Sequence, residues 1–539
     1  MGARRSTPSS ARERYYKRRL KRVGVLLVVA LLLAVIVCAN IVSPVIAPAS
    51  EERESASAAE TITESPMAAV TEGLQPTPTA AATEVQPTSA AQVLPTYGQT
   101  IPASEEQFIL YYTIAGDSLA EVSLRFGVDM SEIQPDTIEK EGLLDPGQLL
   151  IIPNSLETTS SSSKLLPDSE VTFSPSTKDF VVQGFVDDAG GYLASYTEYL
   201  SSTGWTSGAD IISRVALEYS FNPRLLLAFV EYKSGWVYAT PEGAAEDVFP
   251  LDYVNSLNEK LYMQCAWFAS SVMDGYYGWR EGRTLVIEFQ NGEALRLAPQ
   301  LNAGSVGLMN AFTYLYDFEE WAFQLYGEEG FISFYEEMFP NPWIRAQAVE
   351  PLIPADTIQP EMILPFEVGT LWAFTGGPHA AWSAADVWAA LDFAPASDIN
   401  GCYESDAWVV ASMAGLVVRS GNGVVVIDQD GDGYEQTSWT LLYLHIATKD
   451  RVELGTWVEV GDRIGHPSCE GGRATGTHVH MARRYNGEWV PADGPLPFTL
   501  SCWEARAGVS AYKGWLVKGN EIIYANTAST IETQITREE

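Results

Sequence analysis

The sequence predicts a multidomain chain. In order, it has a single transmembrane helix, a small βααβ module, an α-helical domain and an antiparallel all-β domain. Three observations predict this. The chain has 539 residues, enough for three or four domains at about 100–200 residues each. Its 46% hydrophobic content, with 15 Trp, can fill sizeable cores. The apolar pattern also changes along the chain, from one unbroken run, through helical spacing, to short runs separated by Gly turns. A net charge of −36 excludes the basic field that phosphate recognition needs, so no nucleic-acid partner is expected. Five Cys exclude a disulfide-dense scaffold.

Residues 1–22 form a basic segment with nine Lys or Arg against one acid, Glu13. The apolar run that follows gives a transmembrane helix over 23–43, with twenty uncharged residues from Val23 to Val42. At 1.5 Å per residue, that length spans the ~30 Å hydrocarbon core. The basic block stays cytoplasmic and the bulk of the chain lies outside the cell membrane. The rival reading is a signal peptide cleaved near Ala47-Pro48-Ala49, but the run exceeds the usual h-region of about 7–15 residues. A lipoprotein at Cys38 is disfavoured by the branched Val37 before it. Residues 44–106, rich in Ala, Ser, Thr, Pro and Glu, read as a disordered linker spanning roughly 40 Å.

Residues 107–154 read as a strand, a Gly-Asp turn, a helix with Leu119, Val122 and Phe126 apolar, and a Pro-Gly turn into a strand through Leu150 and Ile152. Asp117 or Ser118 caps the helix. Tyr112, Gly116-Asp117-Ser118-Leu119, Val122, Phe126, Pro146-Gly147-Gln148, Leu150, Ile152 and Pro153 make this segment resemble a LysM domain. That resemblance implies binding to the N-acetylglucosamine-containing glycans of peptidoglycan and chitin. The Asn usual in the middle of the family is replaced here by QPDTIEKEGL.

Residues 155–189, with the polar run Glu157 to Lys164, read as a second linker, and 190–350 as an α-helical domain. Ile211, Ile212, Val215 and Leu217, then Leu225 to Val230, fall at helical spacing around an Asn222-Pro223 break. This pair weakly resembles the opening of lysozyme-like lytic transglycosylases. The catalytic Glu-Ser-Gly turn of those enzymes aligns with Lys233-Ser234-Gly235, so the general acid is missing. Glu231 or Glu218 would have to replace it, and their spacing gives no support.

From 364 to 503 the chain turns strand-rich, and all five His lie in this part: His379, His445, His466, His478 and His480. His478 and His480, two apart on a strand, share one face. Clustered His with an acid points to zinc, and a catalytic zinc takes three protein ligands and leaves one position open. The segment resembles the lysostaphin/LytM-type zinc endopeptidases of cell-wall peptides. Their commonest pattern puts a His four residues before an Asp, a position held here by Trp388 ahead of Asp392. The staphylolysin-like branch instead has its first His in an upstream Gly-rich loop. FTGGPHAAWSAADVWAALD, with His379 thirteen residues before Asp392, matches that branch, as do CEGGRATGTHVH and RRYNGEWV. The resemblance implies zinc ligands His379, Asp392 and His480, with His478 as general base. It implies that His445 orients water or stabilises the oxyanion.

Weaker signals complete the reading. Asp428 to Gly433 has the first part of a calcium loop, but Trp439 at the twelfth position excludes an EF-hand, and a tight Gly/Asp hairpin is preferred over calcium. Cys402, Cys469 and Cys502 allow one disulfide of undetermined pairing. Residues 504–539 read as a C-terminal β extension. The function implied is a membrane-anchored zinc endopeptidase, with peptidoglycan as the partner of both the LysM and the zinc domain. The alternative is a non-catalytic wall-binding scaffold or activator of other hydrolases.

Overall fold

The structure, a computed structural model, describes residues 107–138, 141–240, 248–382 and 387–538. The basic segment, the apolar run over 23–43 and the linker over 44–106 lie outside the described residues. Among the described residues no helix is long and apolar enough to cross a membrane.

The first module pairs β1 (Phe108–Tyr112) with β2 (Leu149–Pro153) antiparallel. Between them, α1 (Leu119–Phe126) is capped by the Ser118 hydroxyl, which accepts the Glu121 N–H. Asp117 instead accepts from the Tyr111 hydroxyl at 2.7 Å and pairs with Arg125. Leu119, Val122 and Phe126 bury against Tyr111, Leu150 and Ile152. The expected second α-helix is absent among the described residues, where a single 3-10 turn, Met130–Glu132, takes its place. Gln134 then exchanges two backbone hydrogen bonds with Ile151. Pro135 explains this, because it drives the residue before it toward extended backbone.

The second linker is not a linker. Ser160 donates its N–H to the Arg296 carbonyl, and Leu165, Leu166 and Val171 are buried in the core of the helical domain. Asp168 accepts from Asn302 at 2.6 Å and from the Gly304 N–H at 2.7 Å. These apolar pairs are too short to show a period, and the neighbouring serines hide them. The domain continues through α2 (Val182–Ala189), the hairpin β3 (Thr197–Leu200) and β4 (Gly204–Ser207), α3 (Gly208–Tyr219) and α4 (Pro223–Ser234). Next come α5 (Lys260–Arg280), the hairpin β5 (Val286–Glu288) and β6 (Ala294–Arg296), and α6 (Ala303–Thr313). Three short helices end it: α7 (Phe318–Tyr326), α8 (Phe331–Met338) and α9 (Pro342–Gln347). Helices α5 and α6 approach closely at Gly307, where a Cβ would come within 2.6 Å of the Val272 carbonyl oxygen.

The C-terminal domain is built on a nine-stranded antiparallel sheet. Its strands are β7 (Leu371–His379), β8 (Ala390–Pro395), β10 (Gly415–Gly421), β11 (Val424–Asp428), β12 (Trp439–Leu444), β13 (Trp457–Val458), β15 (Val479–Tyr485), β16 (Glu488–Trp489) and β21 (Gln534–Thr536). The order is β13-β10-β11-β12-β15-β8-β7-β21, with β16 pairing β15. Strands β9 (Val409–Val410) and β14 (Arg463–Gly465) pair separately, and β17 (Thr499–Leu500), β18 (Trp503–Ala507), β19 (Gly514–Lys518) and β20 (Glu521–Tyr524) form a second sheet. The C-terminal extension is therefore integral, since β18 begins at Trp503 and β21 closes the edge of the main sheet on β7.

Period-two alternation divides the main sheet between two cores. Val479, Met481, Leu441, Tyr443, Val425, Ile427, Leu391 and Phe393 belong to the core on one face. Ala482, Leu442, Val424, Val426 and Ala390 point the other way and share one core with the helical domain. His480 lies on that second face.

Candidate metal centre

Three strands set the site in one row. Gly376 of β7 faces Asp392 of β8, and Asp392 faces His480 of β15. Gly376 is required there, because a Cβ would lie 2.5 Å from Asp392 Oδ2. The register between β7 and β8 shifts between Gly376 and His379, which brings His379 to the same place at the strand end.

His379 Nε2, His480 Nδ1 and Asp392 Oδ1 form a small triangle. The sides are 3.0 Å between the imidazoles, 3.3 Å from His379 to Asp392 and 3.2 Å from His480 to Asp392. Tetrahedral zinc with bonds of about 2.0–2.1 Å has ligand–ligand edges of about 3.3–3.4 Å, so the triangle is close to that size. The hydrogen bonds fix which ring nitrogens carry protons. His379 Nδ1–H donates to the Gly377 carbonyl at 2.8 Å, and His480 Nε2–H donates to the Ala381 carbonyl at 2.9 Å. Both inner nitrogens of the neutral rings are therefore lone pairs, aimed with a carboxylate at one point. A cation satisfies all three at once, and a carbonyl behind each ring is the usual support of a metal-bound His. The residues fit zinc.

Without the metal, the electrostatics show the same demand. Burial works against charge on His379, but the Asp392 carboxylate outweighs it and the pKa moves up. Burial alone would raise Asp392, yet His379, His480 and His478 hold it well below the carboxylate range. His480 moves down, chiefly from burial.

His478 and His445 stand beside this triangle. His478 Nε2 is 3.7 Å from Asp392 Oδ1, and its Nδ1–H donates to the Gly476 carbonyl at 2.8 Å. His445 follows directly on β12 at a positive φ of 67°, and its Nδ1–H donates to the Glu470 carbonyl at 2.8 Å. The two rings lie 4.4 Å apart between centroids. Burial, with His478 and His480 nearby, pushes His445 down to about 3. The Cys402–Cys469 disulfide sits beside Glu470, and Thr477, next to His478, exchanges hydrogen bonds with Tyr403. Cys502 is free and exposed.

The structure thus brings together the five residues to which the resemblance gave roles, His379, Asp392, His480, His478 and His445, while His466 turns away, with Nδ1–H to the Ala407 carbonyl. Tyr512 was not foreseen. Its ring stacks on His379 with centroids 4.1 Å apart, and its backbone exchanges hydrogen bonds with Gly377 and Pro378. It lies 32 residues beyond His480, in a segment with no motif of its own. The candidate acids of the helical domain have structural partners: Glu231 accepts the Val237 and Tyr238 N–H groups, and Glu218 pairs with Arg214 and Tyr262. Lys233 pairs with Asp252.

Residues 164–353 match the family described as LasA, N-terminal domain, and residues 396–492 match Peptidase family M23. No curated protein matches the chain. Among solved structures, the chain is similar to a novel M23 metalloprotease, pseudoalterin, from the deep sea. The two are 22% identical over 31% of this chain and 96% of that one, with a TM-score of 0.26. The lysostaphin catalytic domain from Staphylococcus simulans is 20% identical over 24% of this chain and 89% of its own, with a TM-score of 0.17. A zinc-containing peptidase from Vibrio cholerae is 21% identical over 27% of this chain and 42% of its own, with a TM-score of 0.17. The M23 match begins downstream of His379 and Asp392, and the geometry supplies those two ligands. With that match and three donors converging at His379, Asp392 and His480, the C-terminal domain is an M23-type zinc metallopeptidase.

Proposed function

We propose that the chain is a membrane-anchored endopeptidase that hydrolyses the peptide cross-links of peptidoglycan, with residues 107–154 holding the glycan as a LysM module. The observation that carries the proposal is the pair of imidazoles beside the metal triangle. His478 and His445 both give their Nδ1–H to a backbone carbonyl, so both present an Nε2 lone pair. Zinc, when bound, supplies Lewis-acid polarisation of the scissile carbonyl and lowers the pKa of water. His478 takes the proton of the attacking water at Nε2 and returns it to the leaving amine. His445, an acceptor in its neutral form, orients that water; this favours the first of its two expected roles. Asp392 offsets the charge of the site, and Tyr512 holds the His379 ring.

The test is zinc content and new amino groups released from purified peptidoglycan by the full chain, beside His478→Ala. The wild type is expected to carry zinc and release amines, and the variant to keep zinc and lose about 10²–10⁴ of the rate. A zinc-loaded wild type that releases amines from no cross-link type removes the endopeptidase reading and leaves the scaffold. Release of reducing sugar would point to glycan cleavage. For the LysM module, His480→Ala should still sediment with peptidoglycan and be displaced by chitin oligomers. For the anchor, carbonate-washed membranes should retain the chain; a soluble form starting after Ala49 would establish the cleaved signal instead.

A further inference from the structure

The β11–β12 connection takes no part in the zinc site, yet it gathers charge. One carboxylate oxygen from each of Asp428, Asp430 and Asp432 lies within 4.8 Å of the others. Asp430 and Asp432 are exposed and their hydrogen bonds are those of a turn: Asp432 N–H to Asp430, then Tyr434 N–H and the Thr437 hydroxyl to Asp432. Asp428 differs. It ends β11 and is fully buried, at 0% exposure. Its Oδ2 accepts the Gly433 N–H at 2.9 Å, but its buried Oδ1 has no hydrogen-bond partner. A buried acceptor left unpaired is costly, and more so when charged. The neighbours of this one are two further carboxylates, which repel it. The ammonium of Lys178 reaches the cluster only at its outer edge, 2.8 Å from Asp432 Oδ2.

We propose that Asp428, Asp430 and Asp432 bind a divalent cation of the calcium class, separate from the zinc. The donors are all oxygens from carboxylates at alternate positions, which suits a hard cation and not the nitrogen- and sulfur-seeking metals. Calcium tolerates an irregular shell of six to eight oxygens, whereas magnesium demands a near-ideal octahedron and keeps its waters. The site needs no EF-hand glutamate. It differs from a plain Gly/Asp hairpin in that the innermost carboxylate is buried and one of its oxygens, Oδ1, lacks a donor.

Trp457 gives a direct readout, because its ring packs on Gly431 inside the loop, 2.8 Å from where a Cβ would be. The zinc-loaded full chain is titrated with terbium(III), a luminescent stand-in for calcium, while tryptophan is excited. The proposal expects saturable emission at one equivalent, displaced by calcium at about tenfold lower concentration than by magnesium. Asp428→Asn and the exposed Asp430→Asn are each expected to weaken calcium displacement by about tenfold or more with zinc content unchanged. Emission that does not saturate, that calcium does not displace, or that is the same in Asp430→Asn as in the wild type overturns the site. Asp430→Asn keeps the test decisive if Asp428→Asn does not fold.

Discussion

A single missing methyl group decides whether the metal triangle closes. Gly376 faces Asp392, and a Cβ there would overlap the carboxylate. Gly376→Ala is therefore expected to push Asp392 off the triangle and lower zinc content, with a stability loss of about 1–3 kcal/mol from overpacking. Zinc measured after dialysis against a weak chelator checks it, and full retention would mean that β7 yields instead. At this scale the sequence was informative. Strand spacing put His478 and His480 on one face, and the resemblance to the zinc endopeptidases implied His379, Asp392 and His480, the three residues whose donors the structure brings together. Tyr512 stayed hidden because its role comes from the chain returning to β7 through β19 and β21, a long-range packing that no local pattern records.

At the scale of elements, the loops around the site are pinned from outside. The Cys402–Cys469 disulfide closes a span of 67 residues, which in the chain-entropy view contributes about 4 kcal/mol. It also fixes the segment whose Glu470 carbonyl holds His445. The Cys402→Ala/Cys469→Ala pair should therefore lower both the melting temperature and kcat while zinc stays bound. A change in melting temperature with unaltered kcat would separate the bridge from the site. The sequence left this pairing open among three Cys, since only the fold brings two of them together. It also mistook residues 155–189 for a linker, because a run of serines looks alike whether its hydroxyls meet water or, as at Ser160 and Ser174, the protein. That same segment carries a titration. Glu350 accepts the Ser169 N–H, and burial together with Asp168 pushes its pKa from 4.5 up to about 7. The folded state then holds an extra proton on Glu350 between those values, so this group's contribution to stability is greatest below about 4.5 and falls as pH rises to about 7. Glu350→Gln should flatten that slope and leave the variant more stable than the wild type near pH 8. Parallel melting curves for both proteins across that window would refute it.

At the scale of the described residues, one guanidinium touches all three domains. Arg280, at the end of α5, lies 3.1 Å from Asp168 of the helical domain and 2.8 Å from Glu488 of the peptidase domain, and donates to the Ala115 carbonyl of the first module. Tyr276 reinforces it on Glu488, and Tyr277 accepts the Trp489 N–H. Nothing in the sequence around Arg280 marks it, because its partners lie 112 to 208 residues away. The helical domain thereby packs on the sheet face that carries the zinc ligands, through Ala482, Leu442 and Leu444, so domain packing and site geometry share one surface. Removing Arg280 leaves Glu488, which is 2% exposed, without its cation. A buried charge stripped of its partner costs about 3–5 kcal/mol. Arg280→Ala is thus expected to lower the melting temperature and to split a shared unfolding transition, with residues 107–154 becoming protease-sensitive first. Arg280→Lys keeps the charge but not the fork that reaches three partners, so it should recover only part of the loss. Full recovery by Lys would show that charge alone holds the three segments together. Unchanged melting in Arg280→Ala would show that the apolar core between helices and sheet suffices.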